Sequence, residues 1–170
     1  MQSLKLIIAI LIFAGVANAH PMYDAIGGNW AGSGIVNYGG DFIASTTYTL
    51  TIDENGFFRD HRIDVDENGD LVQEFRVAVE YTPELGAAKM SGRVADGNDS
   101  IFEKSNGFCL INECTFIYQW SGGDLAHVNV RKINENSIVV NKQVISRESD
   151  IFYYMQSHLT RVVEPASSAR

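Results

Sequence analysis

Eight side chains have the types to line a pocket for a small, largely apolar molecule: Trp30, Thr46, Tyr48, Gln73, Phe75, Tyr118, Trp120 and His127. Rings supply apolar contact and a few polar tips fix orientation, which is what such a pocket requires. The same set also describes an ordinary core. His61, His127 and His158 fall on three different predicted strands. Asp64-x-Asp66-x-Asn68-Gly69 matches the first half of a calcium loop, in which alternate oxygens converge on the ion. The position where a bidentate Glu belongs is Phe75, however, and the related stretch Asp53-Glu54-Asn55-Gly56 lacks the leading Asp pair. Both stretches therefore read as hairpin turns, with Asn-Gly supplying the positive φ that tight turns need.

No Ser-His-Asp order, phosphate loop or dinucleotide fingerprint is present, so the residues point to binding rather than catalysis. Lys5, the apolar run 6–16 and Ala17-Asn18-Ala19 have the form of a cleavable export signal, with the cut after Ala19. His20 would then be the first residue, and a terminal amine beside an imidazole can hold copper if a second histidine faces it. Removing Lys5 from 13 basic residues leaves 12 against 21 acidic ones, a balance of −9. Such a surface repels nucleic acid and anionic lipid. The apolar run is short for a bilayer span, and no second one follows, so no integral membrane anchor is expected. Export also places Cys109 and Cys114, the only cysteines, in an oxidising compartment. Their spacing suits two strand ends facing across a tight hairpin, and a disulfide there would pin register. Asn98-Asp99-Ser100 is a glycosylation acceptor, relevant only in a eukaryotic secretory route.

The elements that must position these residues alternate at period two. In 28–38, Trp30, Gly32, Gly34, Val36 and Tyr38 share a face, and the glycines remove side chains that would crowd the indole. In 42–52 the buried face is Phe42, Ala44, Thr46, Tyr48, Leu50 and Ile52, against a mostly hydroxylated outer face. In 71–81, Leu71, Gln73, Phe75, Val77, Val79 and Tyr81 point inward, and in 114–120 Cys114, Phe116, Tyr118 and Trp120 share a face. Further strands are expected at 57–65, 88–95, 101–104, 108–111, 125–133, 138–146 and 151–163, with Ser105-Asn106-Gly107 as a connection and 20–27 irregular. Short strands, polar turns and nearest-neighbour hairpins favour a closed meander.

Gly28-x-Trp30 at the head of the first strand, followed by a meander and an arginine in the last strand, resembles the lipocalin-like or calycin superfamily. The resemblance implies that Trp30 plugs the closed end of a barrel and that Arg161 packs over it, a guanidinium on an indole face. Gly28-x-Trp30-x-Gly32-x-Gly34 is also similar to small bacterial lipocalin-like domains and to nitrobindin haem barrels. The second likeness implies an axial histidine near the C-terminus followed by leucine, which His158-Leu159 matches, although His158 lies on the opposite strand face from Arg161.

The expectation is one all-β, antiparallel, up-and-down barrel of about 8–10 strands. Residues 1–19 form the signal peptide, 20–27 a lead-in, 28–163 the lipocalin-like barrel and 164–170 a frayed tail. The protein would be secreted or periplasmic and bind a small hydrophobic molecule without chemistry or cofactor. The alternative is a filled barrel acting through its surface as an inhibitor or interaction module with a protein partner. A haem barrel using His158 ranks third.

Overall fold

The computed structural model describes residues 20–84, 89–97, 102–120, 123–146 and 151–163. The signal segment 1–19, the tail 164–170 and the acceptor at Asn98 lie outside the described residues. A short helix, α1 (Pro21–Ile26), precedes ten strands. These are β1 (Gly28–Asn37), β2 (Ile43–Ile52), β3 (Phe57–Val65), β4 (Leu71–Pro83), β5 (Lys89–Gly97), β6 (Phe102–Leu110), β7 (Glu113–Trp120), β8 (Leu125–Asn134), β9 (Ser137–Ile145) and β10 (Ile151–Arg161). Each strand pairs antiparallel with its sequence neighbour, and β10 pairs with β1 to close the barrel. Closure leaves no free sheet edge. Among the described residues no helix is long and apolar enough to cross a membrane.

The alternation read from sequence is the alternation of the walls. In β2, Ala44, Thr46, Tyr48, Leu50 and Ile52 are buried between outward threonines. Phe42 and Leu71, expected on buried faces, are instead exposed by 47% and 64% and stand on the rim of the open end, beyond the packed interior. The stretch Ser105-Asn106-Gly107 is not a connection but the middle of the continuous strand β6. Its Gly107 is inward-facing, and a Cβ there would meet Met90 and the Phe116 ring, so the glycine makes room for the core instead of turning the chain. Cys109 and Cys114 face each other across β6 and β7 and form a disulfide, with Cα atoms 4.1 Å apart.

The closed end is built by α1, β1 and β10 together. Pro21–Ile26 are helical rather than irregular because Pro21 sits in the first turn, where no amide donor is needed, with His20 and Gly27 as the caps. Met22, Ala25 and Ile26 then fall on one helical face and are buried in the barrel core. His20 caps this helix: its Nδ1 accepts from the Met22 amide at 3.3 Å, so Nε2 carries the proton and donates to the Tyr81 carbonyl at 2.9 Å. Both ring nitrogens are thus engaged in the plug, which corrects the view of His20 as a copper ligand.

Trp30 is 1% exposed, and its Nε1 donates to the Ile26 carbonyl at 3.0 Å. The Arg161 guanidinium lies 4.4 Å from the indole centroid and donates to the Glu135 carbonyl at 2.8 Å and the Gly27 carbonyl at 3.2 Å. Gly28 has φ +128°, and a Cβ there would come 2.6 Å from Arg161 Nη1. The first residue of β1 is therefore held to glycine by its backbone conformation and by the guanidinium beside it.

Gly32 and Gly34 have a different role from the one expected. A Cβ on Gly34 would meet the Gln156 carbonyl oxygen at 2.0 Å and Ser157 Cα at 2.6 Å, and one on Gly32 would meet the His158 carbonyl at 2.1 Å. These glycines let β10 coil tightly against β1, and they open no space in the interior.

Two stability changes follow. Trp30→Ala should lower the free energy of unfolding by about 3–5 kcal/mol, the usual range for emptying a fully buried aromatic site. Gly34→Ala should cost about 1–3 kcal/mol, because the obstructing atoms are backbone and the seam strand must shift. Urea denaturation followed by tryptophan fluorescence and circular dichroism measures both. A Gly34→Ala protein as stable as the parent would contradict the seam geometry.

Candidate functional site

The interior divides into two halves. Toward the closed end it is apolar and filled. Phe58, Tyr81 and Phe116 pack ring on ring at 4.7–6.4 Å, surrounded by Leu50, Ile52, Val79, Met90, Val128, Val130 and Leu159. The Tyr81 hydroxyl is satisfied by Ser105 Oγ at 2.5 Å. Toward the open end the same faces carry charge. β3 contributes Asp60, Arg62 and Asp64 at period two, and β9 contributes Lys142 between Val140 and Val144. All four charged side chains are at most 4% exposed.

Arg62 Nε and Asp64 Oδ2 form an ion pair at 3.0 Å. Tyr38, half-buried just beyond β1, directs its hydroxyl to the same Oδ2 at 2.5 Å and lies 3.2 Å from Gln73 Oε1. One phenol proton cannot serve both, and the shorter distance to the carboxylate assigns it to Asp64. Burial pushes the Asp60 carboxyl above its ordinary value against the pull of Lys142 and Arg62 and of the Tyr48 hydroxyl. Two aromatic rings solvate the cations in place of water. Lys142 Nζ is 4.0 Å from the Phe75 centroid and 5.9 Å from that of Tyr153, and Arg62 Cζ is 5.2 and 5.0 Å from the same rings. A desolvated cation on a ring face is worth about 2 kcal/mol or more, which offsets part of the cost of burial.

Above this charged layer lies a cavity of about 230 Å³, lined by Tyr38, Arg62, Gln73, Phe75, Lys142, Val144 and Tyr153. Several buried polar atoms in this half have no hydrogen-bond partner among the described residues: Thr46 Oγ1, Asp64 Oδ1, Tyr153 Oη and Ser157 Oγ. Buried polar groups are nearly always paired, so such a concentration marks a place that accommodates water or a polar ligand. A larger depression of about 580 Å³ lies on the outside of β2–β5, beside Thr49, Arg59, His61 and Arg76. Three of its charged side chains pair with neighbours on a solvated face, Arg59 with Asp53 at 2.8 Å, His61 with Glu74 at 3.0 Å, and Arg76 with the same Glu74. The mouth cavity is the better site.

Of the residues expected to line a pocket, Gln73 and Phe75 border the mouth cavity. Tyr48 and Tyr118 are buried inside the barrel without bordering it, and Trp30 is at the far, closed end. Trp120 ends β7, and its side chain lies outside the described residues. His127 does not line the interior: it alternates with buried Ala126 and Val128 and so faces outward, half-buried. His158 is exposed on the outer face, opposite Ser33 and Val139, and cannot reach a haem held inside the barrel. The residues present therefore do not fit the haem reading. His61 is also on the outer face, bonded to Glu74.

Asp66 is a turn cap, its Oδ1 accepting from the Asn68 and Asp70 amides at 2.8 and 2.9 Å, whereas Asp64 points inward, so the two do not converge on an ion. Among the described residues no group of three or more His, Cys, Asp or Glu side chains could hold a metal.

Tyr38, Arg62, Lys142, Val144 and Tyr153 were not identified as site residues from sequence. A readable signal existed at Lys142, a lysine on the apolar face Ile138, Val140, Val144.

Burial pushes the phenols of Tyr38, Tyr48, Tyr81, Tyr118 and Tyr153 above the ordinary tyrosine value, and Asp64 raises Tyr38 further. The folded state then holds protons that the unfolded chain releases above about pH 10. Their contribution to stability is complete below that pH and declines above it. In an alkaline titration, phenolate absorbance from these five residues should rise together with loss of circular dichroism, and release from an intact fold would contradict their burial. No protein-family model matches the chain, and no curated protein matches it either.

Proposed function

We propose that this chain is an exported, lipocalin-like barrel that holds one small, largely apolar molecule in its mouth without transforming it. The observation that carries this reading is the 230 Å³ cavity with Phe75, Tyr153, Tyr38 and Val144 in its walls. An apolar cavity of about 150 Å³ accepts benzene, so this one has room for a ring and a short substituent. It falls below the roughly 300–1,000 Å³ of sites for drug-sized ligands, which limits the size of the guest. Trp30 under Arg161 supports the lipocalin-like assignment, and the disulfide with the leader-like segment 1–19 supports export.

A second reading, an interaction module acting through its surface, is favoured by one feature. The disulfide-closed tip between β6 and β7 presents Leu110 and Ile111, exposed by 60% and 88%, beside exposed Phe108.

Benzyl alcohol titrated into the folded protein should shift side-chain resonances of Phe75, Val144 and Tyr153 in NMR spectra. Val144→Phe, which fills the cavity, should weaken that binding by about tenfold or more if the displaced contacts are worth about 1.4 kcal/mol. Shifts confined to the β6–β7 tip, or none at all, would remove the mouth-site reading.

A further inference from the structure

The polar groups that face the mouth cavity are unlike those beneath it. Arg62 and Lys142 are cations and can only donate. Tyr153 is 6% exposed, borders the same cavity, and its hydroxyl has no hydrogen-bond partner among the described residues. The carboxylates of this layer, Asp60 and Asp64, do not border the cavity. One oxygen of Asp64 already receives both Tyr38 and Arg62. Beside Tyr38 and Gln73, a guest in this cavity therefore faces two cations and the Tyr153 hydroxyl, with the carboxylates behind them.

Resting on the mouth-site reading above, we propose that the guest is a small monocarboxylate, its carboxylate seated against Arg62 and Lys142 with a bond from the Tyr153 hydroxyl and its apolar body against Phe75 and Val144. The charges are consistent with this. Two cations stand with two carboxylates, and whenever Asp60 takes up a proton the layer holds one cation in excess. Lys142 is attracted to Asp60, and an added carboxylate would share that cation rather than find it idle. In a low-dielectric site a charge-assisted hydrogen bond is roughly twice as strong as a neutral one. A neutral guest of the same shape would offer the Tyr153 hydroxyl a weaker acceptor and would gain ion–dipole contacts from the cations but no charge–charge attraction. The volume limits the acid to about one ring or a short alkyl chain, on the scale by which about 150 Å³ takes benzene.

The test compares benzoate with benzyl alcohol, near-isosteres that differ in charge, by calorimetry or NMR titration of the whole folded protein. Benzoate should bind at least about tenfold more tightly than benzyl alcohol. Lys142→Met should remove most of that advantage, and Tyr153→Phe should reduce it in part. If benzyl alcohol binds as well as or better than benzoate, the carboxylate proposal fails and the mouth site stands. If the preference survives Lys142→Met in a protein of unchanged circular dichroism, the assignment to this cation fails. If neither probe binds, the mouth-site reading fails and this proposal fails with it. The comparison of two probes on the parent protein requires no variant, so a misfolded Lys142→Met leaves the test intact.

Discussion

A closed barrel must bring its first strand against its last, and here that junction runs from Trp30 opposite Arg161 to Asn37 opposite Tyr154. The pairing joins segments more than a hundred residues apart in the chain, so the entropy of closing the loop is lost before any contact repays it. Arg161 gathers that return at one point. Its planar fork stacks on Trp30 and donates to carbonyls before β1 and in the β8–β9 turn, which ties the start of β1 and that turn to the end of β10. A lysine could place a charge there but could not stack and donate in two directions. Gly28 is part of the same device, since the guanidinium occupies the space where its Cβ would be. The resemblance-based expectation for Trp30 and Arg161 thus has a local physical reason in this chain.

The plug also explains why the interior is uneven. α1 and the Phe58–Tyr81–Phe116 cluster fill the closed half, and the apolar core continues into the open half through Val36, Phe75, Val144 and Tyr153. The charged layer adds little to stability by itself, because buried ion pairs lose in desolvation much of what they gain in attraction. Apolar residues of similar volume in place of a buried ion-pair layer are often neutral or stabilising. The layer instead holds two cations on ring faces beside two carboxylates, with unpartnered hydroxyls around it among the described residues.

Much of the wall was legible because one face of each strand is apolar and the turns are rich in Gly, Asn and Asp. The positions of β1–β4, the closed meander and the cystine all follow from period-two patterns and spacing. The mouth was not legible, for the same reason reversed. β3 carries Phe57, Ile63 and Val65 on its outer face and Asp60, Arg62 and Asp64 on its inner one, so hydrophobic alternation alone points it the wrong way round. Its orientation is set by its partners: Tyr48 opposite Arg62 and Leu50 opposite Asp60 place those charges on the buried side. His127 failed differently. A one-residue step inverts the face of a strand, and the neighbours that decide it, Ala126 and Val128, are too small to announce a core by themselves. The role of Gly32 and Gly34 was also out of reach, since the atoms they make way for belong to β10.

The arrangement of the two halves gives any guest a direction. The cations lie deep in the mouth, at most 3% exposed, and the rim of the open end above them carries two exposed apolar side chains, Phe42 (5.7 Å from the Tyr38 ring) and Leu71, beside exposed Asp41, Glu67 and Asp70. An amphiphile would have to enter head first, leaving its apolar end level with that rim. The exposed ring of Phe42 and the exposed Leu71 then cease to be anomalies of a strand pattern: they are where the apolar wall continues beyond the protein's own packing. A guest lying the other way would set its hydrocarbon against Arg62 and Lys142 and its charge beside Phe42, losing both the electrostatic and the hydrophobic term. On the proposal above, the depth of the cations favours a guest that enters with its charged end first.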